Sequence, residues 1–151
     1  MRTYLAVIDR TPEAGIAVRF AARRAAKTGG ALTLLALVEA PEFVAFGGVQ
    51  ATLEEEARAQ AEALVTSAAG QIVEEAGIKP AILVRTGDAA DLIRAAIDAD
   101  PEIGALVLGA AAHGPPGPLV AQFAGTDAGR LRCPVMIVPG SLDTAALDRL
   151  S

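Results

Sequence analysis

The chain has no tryptophan, one tyrosine, one histidine and one cysteine among its 151 residues. A zinc site needs several His or Cys ligands, so a zinc protein is excluded and no metal site is expected. The single Cys133 has no internal disulfide partner, which points to a reducing compartment and a cytoplasmic location. Aromatic residues make up only 3%, too few to build stacking platforms for single-stranded nucleic acid. Positive charge is also short: 13 Lys and Arg stand against 18 Asp and Glu, a net charge of −5. Nucleic-acid binders normally carry a basic excess, so none is expected as a partner. No apolar run approaches the ~18 residues of a membrane span, so no membrane partner is expected either. The opening Met1-Arg2-Thr3-Tyr4-Leu5-Ala6-Val7-Ile8-Asp9 turns acidic too soon for a secretory leader and reads as a buried strand. No Gly-x-Ser-x-Gly elbow presents a nucleophilic serine, and no catalytic residue is expected.

Ala, Val, Ile and Leu supply much of a hydrophobic content of 52%, enough for one substantial core. Apolar runs alternate with helical stretches. Strands are predicted at Thr3–Ile8, Ala31–Val38, Ala81–Val84, Ala105–Leu108 and Pro134–Val138. Thr11 caps the first helix, with Pro12 at its first position and Glu13 near its positive dipole end. Gly29-Gly30 ends it. Thr52 and Glu55 form a capping-box pattern that opens a second helix toward Ala76. Asp88 caps a short third helix, and Pro118–Leu131 reads as the fourth. Residues 1–140 are read as one domain and 141–151 as a tail of one or two helical turns, with Leu142, Leu147 and Leu150 as contacts. Strand–helix alternation of this kind gives an α/β fold, a parallel sheet between two helical layers. Ligands then sit at the carboxyl ends of the strands, where strand order reverses. Asp9, Glu39, Arg85 and Gly109 are the expected residues there.

The last third carries the most specific signal. Leu106-Val107-Leu108-Gly109 opens a Gly- and Pro-rich loop, and Cys133-Pro134-Val135-Met136-Ile137-Val138 closes the region. With Val7-Ile8-Asp9, the leucine-rich strand ending at Val38, and Gly87-Asp88, these pieces in this order resemble the universal stress protein family from Tyr4 to Val138. The resemblance implies a five-stranded sheet in the order 3-2-1-4-5 (the adenine nucleotide alpha hydrolase-like arrangement) and a homodimer, often joined through the fifth strands. It implies AMP or ATP as ligand in one branch of the family. The acid closing the first strand and the backbone closing the second, here Asp9 and Val38, would hold adenine or ribose. The phosphates would lie on Gly-x-x-Gly-(nine residues)-Gly-Ser/Thr.

Gly109 matches the first glycine of that motif, but Ala112 stands at the second and Ala121-Gln122 at the Gly-Ser pair. A second alignment uses Gly114, Gly117 and Gly125-Thr126, with a gap two residues short. A phosphate cradle works through converging backbone N–H groups, and Pro115, Pro116 and Pro118 have none. Two lost hydrogen bonds to a charged group, at about 1.5–3 kcal/mol each, weaken binding by roughly two to four orders of magnitude. AMP or another small adenylate is therefore expected ahead of ATP. The role expected is a stress-response binding module, with slow ATP hydrolysis on the same fold as the alternative. A receiver domain is excluded because Lys27 and Lys79 do not follow the fifth strand. A flavin binder would need flanking aromatics.

Arg10 can reach a phosphate but also reads as a solvated residue. His113 reads as an exposed loop residue and Cys133 as a small apolar one. Arg19, Arg23 and Lys27 share one helix face and read as solvated rather than as a patch for an acidic partner. The apolar stretch Phe43–Val49 reads equally as a lid, as a partner patch or as packing on the sheet edge.

Overall fold

The computed structural model describes residues 2–38 and 47–151. Five parallel strands form one sheet in the order β3-β2-β1-β4-β5. They are β1 (Thr3–Ile8), β2 (Ala31–Val38), β3 (Ala81–Thr86), β4 (Ile103–Ala110) and β5 (Val135–Pro139). The central position of β1 explains its composition: all six of its residues are buried. Successive side chains point to opposite faces. Tyr4, Ala6 and Ile8 join Leu32, Leu34, Ala105 and Val107 on one side of the sheet. Leu5 and Val7 join Leu35, Leu106 and Leu108 on the other.

Helices α1 (Pro12–Thr28) and α2 (Gly47–Ala76) cover the first face. α3 (Ala89–Ala99) and the short α4 (Pro118–Ala121) cover the second. α1 buries Ala14, Ala17, Ala21, Ala22 and Ala25 with Val18, so small residues bring its axis close to the sheet. The Thr11 hydroxyl accepts from the Ala14 N–H at 3.3 Å, and Gly29 closes the helix in the left-handed region at φ 68°. Asp88 caps α3 by accepting from the Asp91 N–H at 3.1 Å.

Several predicted elements differ, among them β4, which extends two residues beyond its predicted run at each end. α2 starts at Gly47, so the Thr52/Glu55 capping pattern lies inside the helix. Once a helix is nucleated, each further residue adds a hydrogen bond, so the pattern did not stop propagation toward the amino end. Of the Phe43–Val49 stretch, Phe43, Val44 and Phe46 lie outside the described residues, and Val49 belongs to α2. The predicted helix Pro118–Leu131 holds α geometry only to Ala121 and continues as a π turn over Gln122–Thr126. The Asp127 N–H donates to the Gln122 carbonyl at 3.0 Å, the widened spacing of a π turn. Gly125 and Gly129 weaken the helix here, and Asp127 is drawn toward α3. β3 also runs past Arg85 to Thr86, so Arg85 lies within the ladder, opposite Leu37.

The tail forms α5 (Thr144–Leu150), capped by Asp143, which accepts from the Ala146 N–H at 2.8 Å. Leu147 is buried. Among the described residues no helix is long and apolar enough to cross a membrane.

Two glycines have opposite constraints. A Cβ on Gly109 would lie 2.1 Å from the Glu13 carbonyl oxygen, whereas one on Gly15 meets nothing within 4 Å. Gly109→Ala is expected to lower stability by about 1–3 kcal/mol, and Gly15→Ala to raise it by about 0.5–1 kcal/mol. Urea denaturation midpoints check both.

Candidate functional site

β1 lies between β2 and β4, and the connection after β1 runs to β2 on one side while the connection after β4 runs to β5 on the other. This is the crevice where doubly wound folds bind ligands. Asp9 follows β1, Val38 ends β2, and Gly109 lies one residue from the end of β4. The fold thus brings these three expected site residues to one edge of the sheet. The Asp9 Oδ1 accepts from the Thr11 N–H at 2.8 Å and from the Thr11 hydroxyl at 2.6 Å. This tight local turn fixes the carboxylate at the mouth of the crevice. The Arg10 guanidinium reaches across to α2 and donates to Gln60 Oε1 at 2.6 Å. Val38 is buried, and its carbonyl accepts a long bond, 3.4 Å, from the Gly87 N–H.

Gly109 serves packing first. The Glu13 carbonyl in the first turn of α1 sits against its Cα, and Gly140 is equally tight, with a Cβ there 2.5 Å from the Ala110 carbonyl oxygen. Gly109 and Ala110 pair with Val138 and Pro139 of β5. The loop after them closes on itself. The Ala111 N–H donates to the Pro116 carbonyl at 3.0 Å, and the Gly140 N–H donates to the Ala110 carbonyl at 2.7 Å. Gly114 and Gly117 take positive φ, 71° and 114°, as a turn this sharp requires. Ala112, His113 and Gly114 are exposed on the outside of that turn. Pro115, Pro116 and Pro118 offer no N–H to an anion.

Gly125 and Thr126 end the π turn, at the opposite end of the α4 segment from its cap Gly117. They are not brought to the loop. Thr126 instead lines a separate hollow of about 410 Å³ with Arg94, Gln122, Asp127 and Arg130. Asp127 is buried there and bonds to three neighbours. It accepts from Gln122 Nε2 at 2.9 Å and pairs with Arg130 at 3.2 Å and with Arg94. The Gln122 hydrogen bond, followed by the charges of Arg94 and Arg130, holds its carboxyl below the ordinary range against the effect of burial. Nothing in the sequence singled out this cluster, because its members come from α3 and from a turn predicted as helix. Burial raises the Cys133 thiol, which keeps it protonated and unreactive.

A groove of about 480 Å³ starts at Asp9 and Arg10 and runs between α1 and α2. Of the Arg19, Arg23 and Lys27 stripe, Arg19 and Arg23 border it and are half-buried, whereas Lys27 is exposed. Arg19 pairs with Glu75 at 3.1 Å and with Asp148 at 3.4 Å, and Arg23 pairs with Asp148 at 2.6 Å. Lys27 Nζ donates to the Asp148 carbonyl at 2.6 Å. The acidic partner of the stripe is the chain's own α5. The i, i+4 spacing showed the stripe but not where the tail returns. Among the described residues no group of three metal-ligating side chains comes together.

A family model described as "Universal stress protein family" matches residues 1–139. No curated protein matches in sequence. Among solved structures, the universal stress protein UspA of Lactobacillus plantarum aligns with a TM-score of 0.76 at 20% identity, covering 91% of this chain and 97% of that one. The Archaeoglobus fulgidus universal stress protein in complex with dAMP aligns at 0.61 and 19%, covering 91% and 96%. An Arabidopsis thaliana family member with AMP bound aligns at 0.59 and 13%, covering 92% of each. At these identities the likeness shows the fold.

The Asp127 cluster has a pH signature. Because its folded-state pKa is lowered, its contribution is present above the ordinary carboxylate value of about 4 and is lost as pH falls through the lowered value. Asp127→Asn is expected to lower the Tm at neutral pH. The gap to the parent should begin to narrow near pH ~4 and should close once the parent carboxylate is protonated. Thermal melts from neutral to acid pH check this.

Proposed function

The chain belongs to the universal stress protein family, and on that premise we propose that it is a non-catalytic, dimeric stress-response module. In this reading it binds an adenine nucleotide by the nucleoside end more than by the phosphates. The observation that carries the proposal is the contrast between the two halves of the crevice. Asp9 is held at the mouth of the β1 end beside the end of β2, where a ribose hydroxyl or a base amine has a charged acceptor. The loop after β4 spends the Ala111 amide on Pro116 and places prolines where a polyphosphate would need donors. Gly109 packs against Glu13, so its presence there carries no implication of a phosphate. The AMP and dAMP bound to relatives of the same fold support an adenylate as the ligand class.

The residues proposed for the nucleoside end are Asp9 and Val38, with Arg10 beside them. Gly109, Ala112, Gly114 and Gly117 are proposed to border the phosphate end. Gly125 and Thr126, the second alignment's pair, reach a nucleotide in this proposal only if the loop reopens. Turnover is not part of the proposal: the Asp9 Oδ1 is already turned onto Thr11. The dimer is proposed to form through β5, an edge strand in which Ile137 is 42% exposed. The cytoplasm is the proposed location.

Calorimetric titration tests the ligand. AMP is expected to bind at least as tightly as ATP, and Asp9→Ala to weaken AMP about tenfold or more. Micromolar ATP binding, tighter than AMP, would overturn the reading of the proline loop. Phosphate release should remain at background in both the parent and Asp9→Ala. Ile137→Lys is expected to shift the chain to a monomer in light scattering, because an ammonium group cannot be buried across paired edges without a partner.

A further inference from the structure

We propose that Arg85 guards the β3 edge of the sheet against a second copy of this chain, so that β5 is the edge left open for pairing. The inference deepens the proposed dimer and rests on that reading for the choice of β5. The guard itself is read from β3.

The sheet has two edges, β3 and β5. An edge strand presents a row of backbone N–H and C=O groups to which another chain can add. Apolar exposure does not separate the two edges: Ile82 of β3 and Ile137 of β5 are both 42% exposed. Charge does. Val135–Pro139 carries no ionisable side chain, whereas Ala81–Thr86 carries Arg85, which is exposed.

The backbone bonding shows what the guanidinium does. Along a parallel strand, alternate residues turn both their N–H and their C=O toward the same neighbour. The Gly87 N–H donates to the Val38 carbonyl of β2. Counting back by twos, Arg85 and Leu83 also turn their backbone groups to β2, and Val84 turns its own outward. The Val84 carbonyl is therefore one of the acceptors that a strand added at this edge would need. Arg85 Nη1 already donates to it at 3.0 Å.

A second copy pairing at β3 must break that hydrogen bond. It must also bring its own Arg85, because a two-fold contact joins the same patch of both chains. Like charges brought together across paired strands destabilise the pair. β5 meets neither obstacle. The guard also keeps assembly finite. A β5–β5 contact alone closes a dimer, but a chain that paired at both edges would extend the sheet from subunit to subunit without end.

Sedimentation velocity and light scattering of the full chain, over a range of concentrations, test the guard. Arg85→Val removes the guanidinium and keeps a good strand former. It is expected to reach about double the parent's mass or more at equal concentration, to grow with concentration and to keep the parent's Tm. Arg85→Lys retains a charge at the edge and should hold the parent's mass. Arg85→Val combined with Ile137→Lys should stop at a dimer, because β3 is then the one open edge. An Arg85→Val chain that holds the parent's mass would overturn the guard, as would an Arg85→Lys chain that polymerises like Arg85→Val. Mass gained only with a fallen Tm marks exposed core rather than an opened edge, and would overturn it too. A monomeric parent would overturn the β5 dimer alone, since Arg85→Val must gain mass over the parent whatever the parent's state.

Discussion

The closest constraint in the molecule is the approach of the first turn of α1 to the end of β4. The Glu13 carbonyl lies where a Cβ on residue 109 would be, and only glycine permits that contact. Gly140 is held by the same knot, between Ala110, Ala112 and Glu13. Because α1 enters so low on the sheet, the chain leaving β4 must turn outward at once. It does so through a loop pinned by Ala111 to Pro116. The shape of the crevice therefore follows from a packing contact on its floor. A glycine that looks like a phosphate residue is first of all a spacer.

The same helix organises the other charged features. Its apolar face is nearly all alanine and lies flat on the sheet. Its arginines emerge at the border with α2, where solvent access is limited and a carboxylate is worth more than on an open surface. Asp148 and Glu75 meet them there. The tail thus adds its own charge to the helical layer that flanks the crevice. Asp127, on the opposite face of the sheet, does the same for the segment after α4: one buried carboxylate, three donors, and a helix widened into a π turn to reach them.

Much of this was legible in one dimension. Burial on both faces writes continuous apolar runs, so β1 and β2 were readable to the residue. Caps with a side-chain mechanism, Thr11 and Asp88, were readable for the same reason. Edge strands and frayed helices were less so. β3 extends two residues beyond its apolar run because backbone pairing with β2 continues past it. α2 ignores its internal capping pattern. The site was legible as an edge: Asp9, Val38 and Gly109 end up on neighbouring strands. Which amides point outward was not, since Ala111 depends on a partner five residues away across a turn.

The order of residues by itself determined the alternation of strands and helices, the identity of the core, the shortage of donors after β4 and the family. Each of those rests on periodicity, on caps or on a residue's own chemistry. Only the tertiary structure decided that Arg19 and Arg23 face the chain's own tail, that Gly109 is bound to Glu13 by contact, and that Thr126 belongs to a hollow around Asp127. Those depend on segments far apart in the chain meeting in space, and spacing along one helix carries no record of what folds back against it.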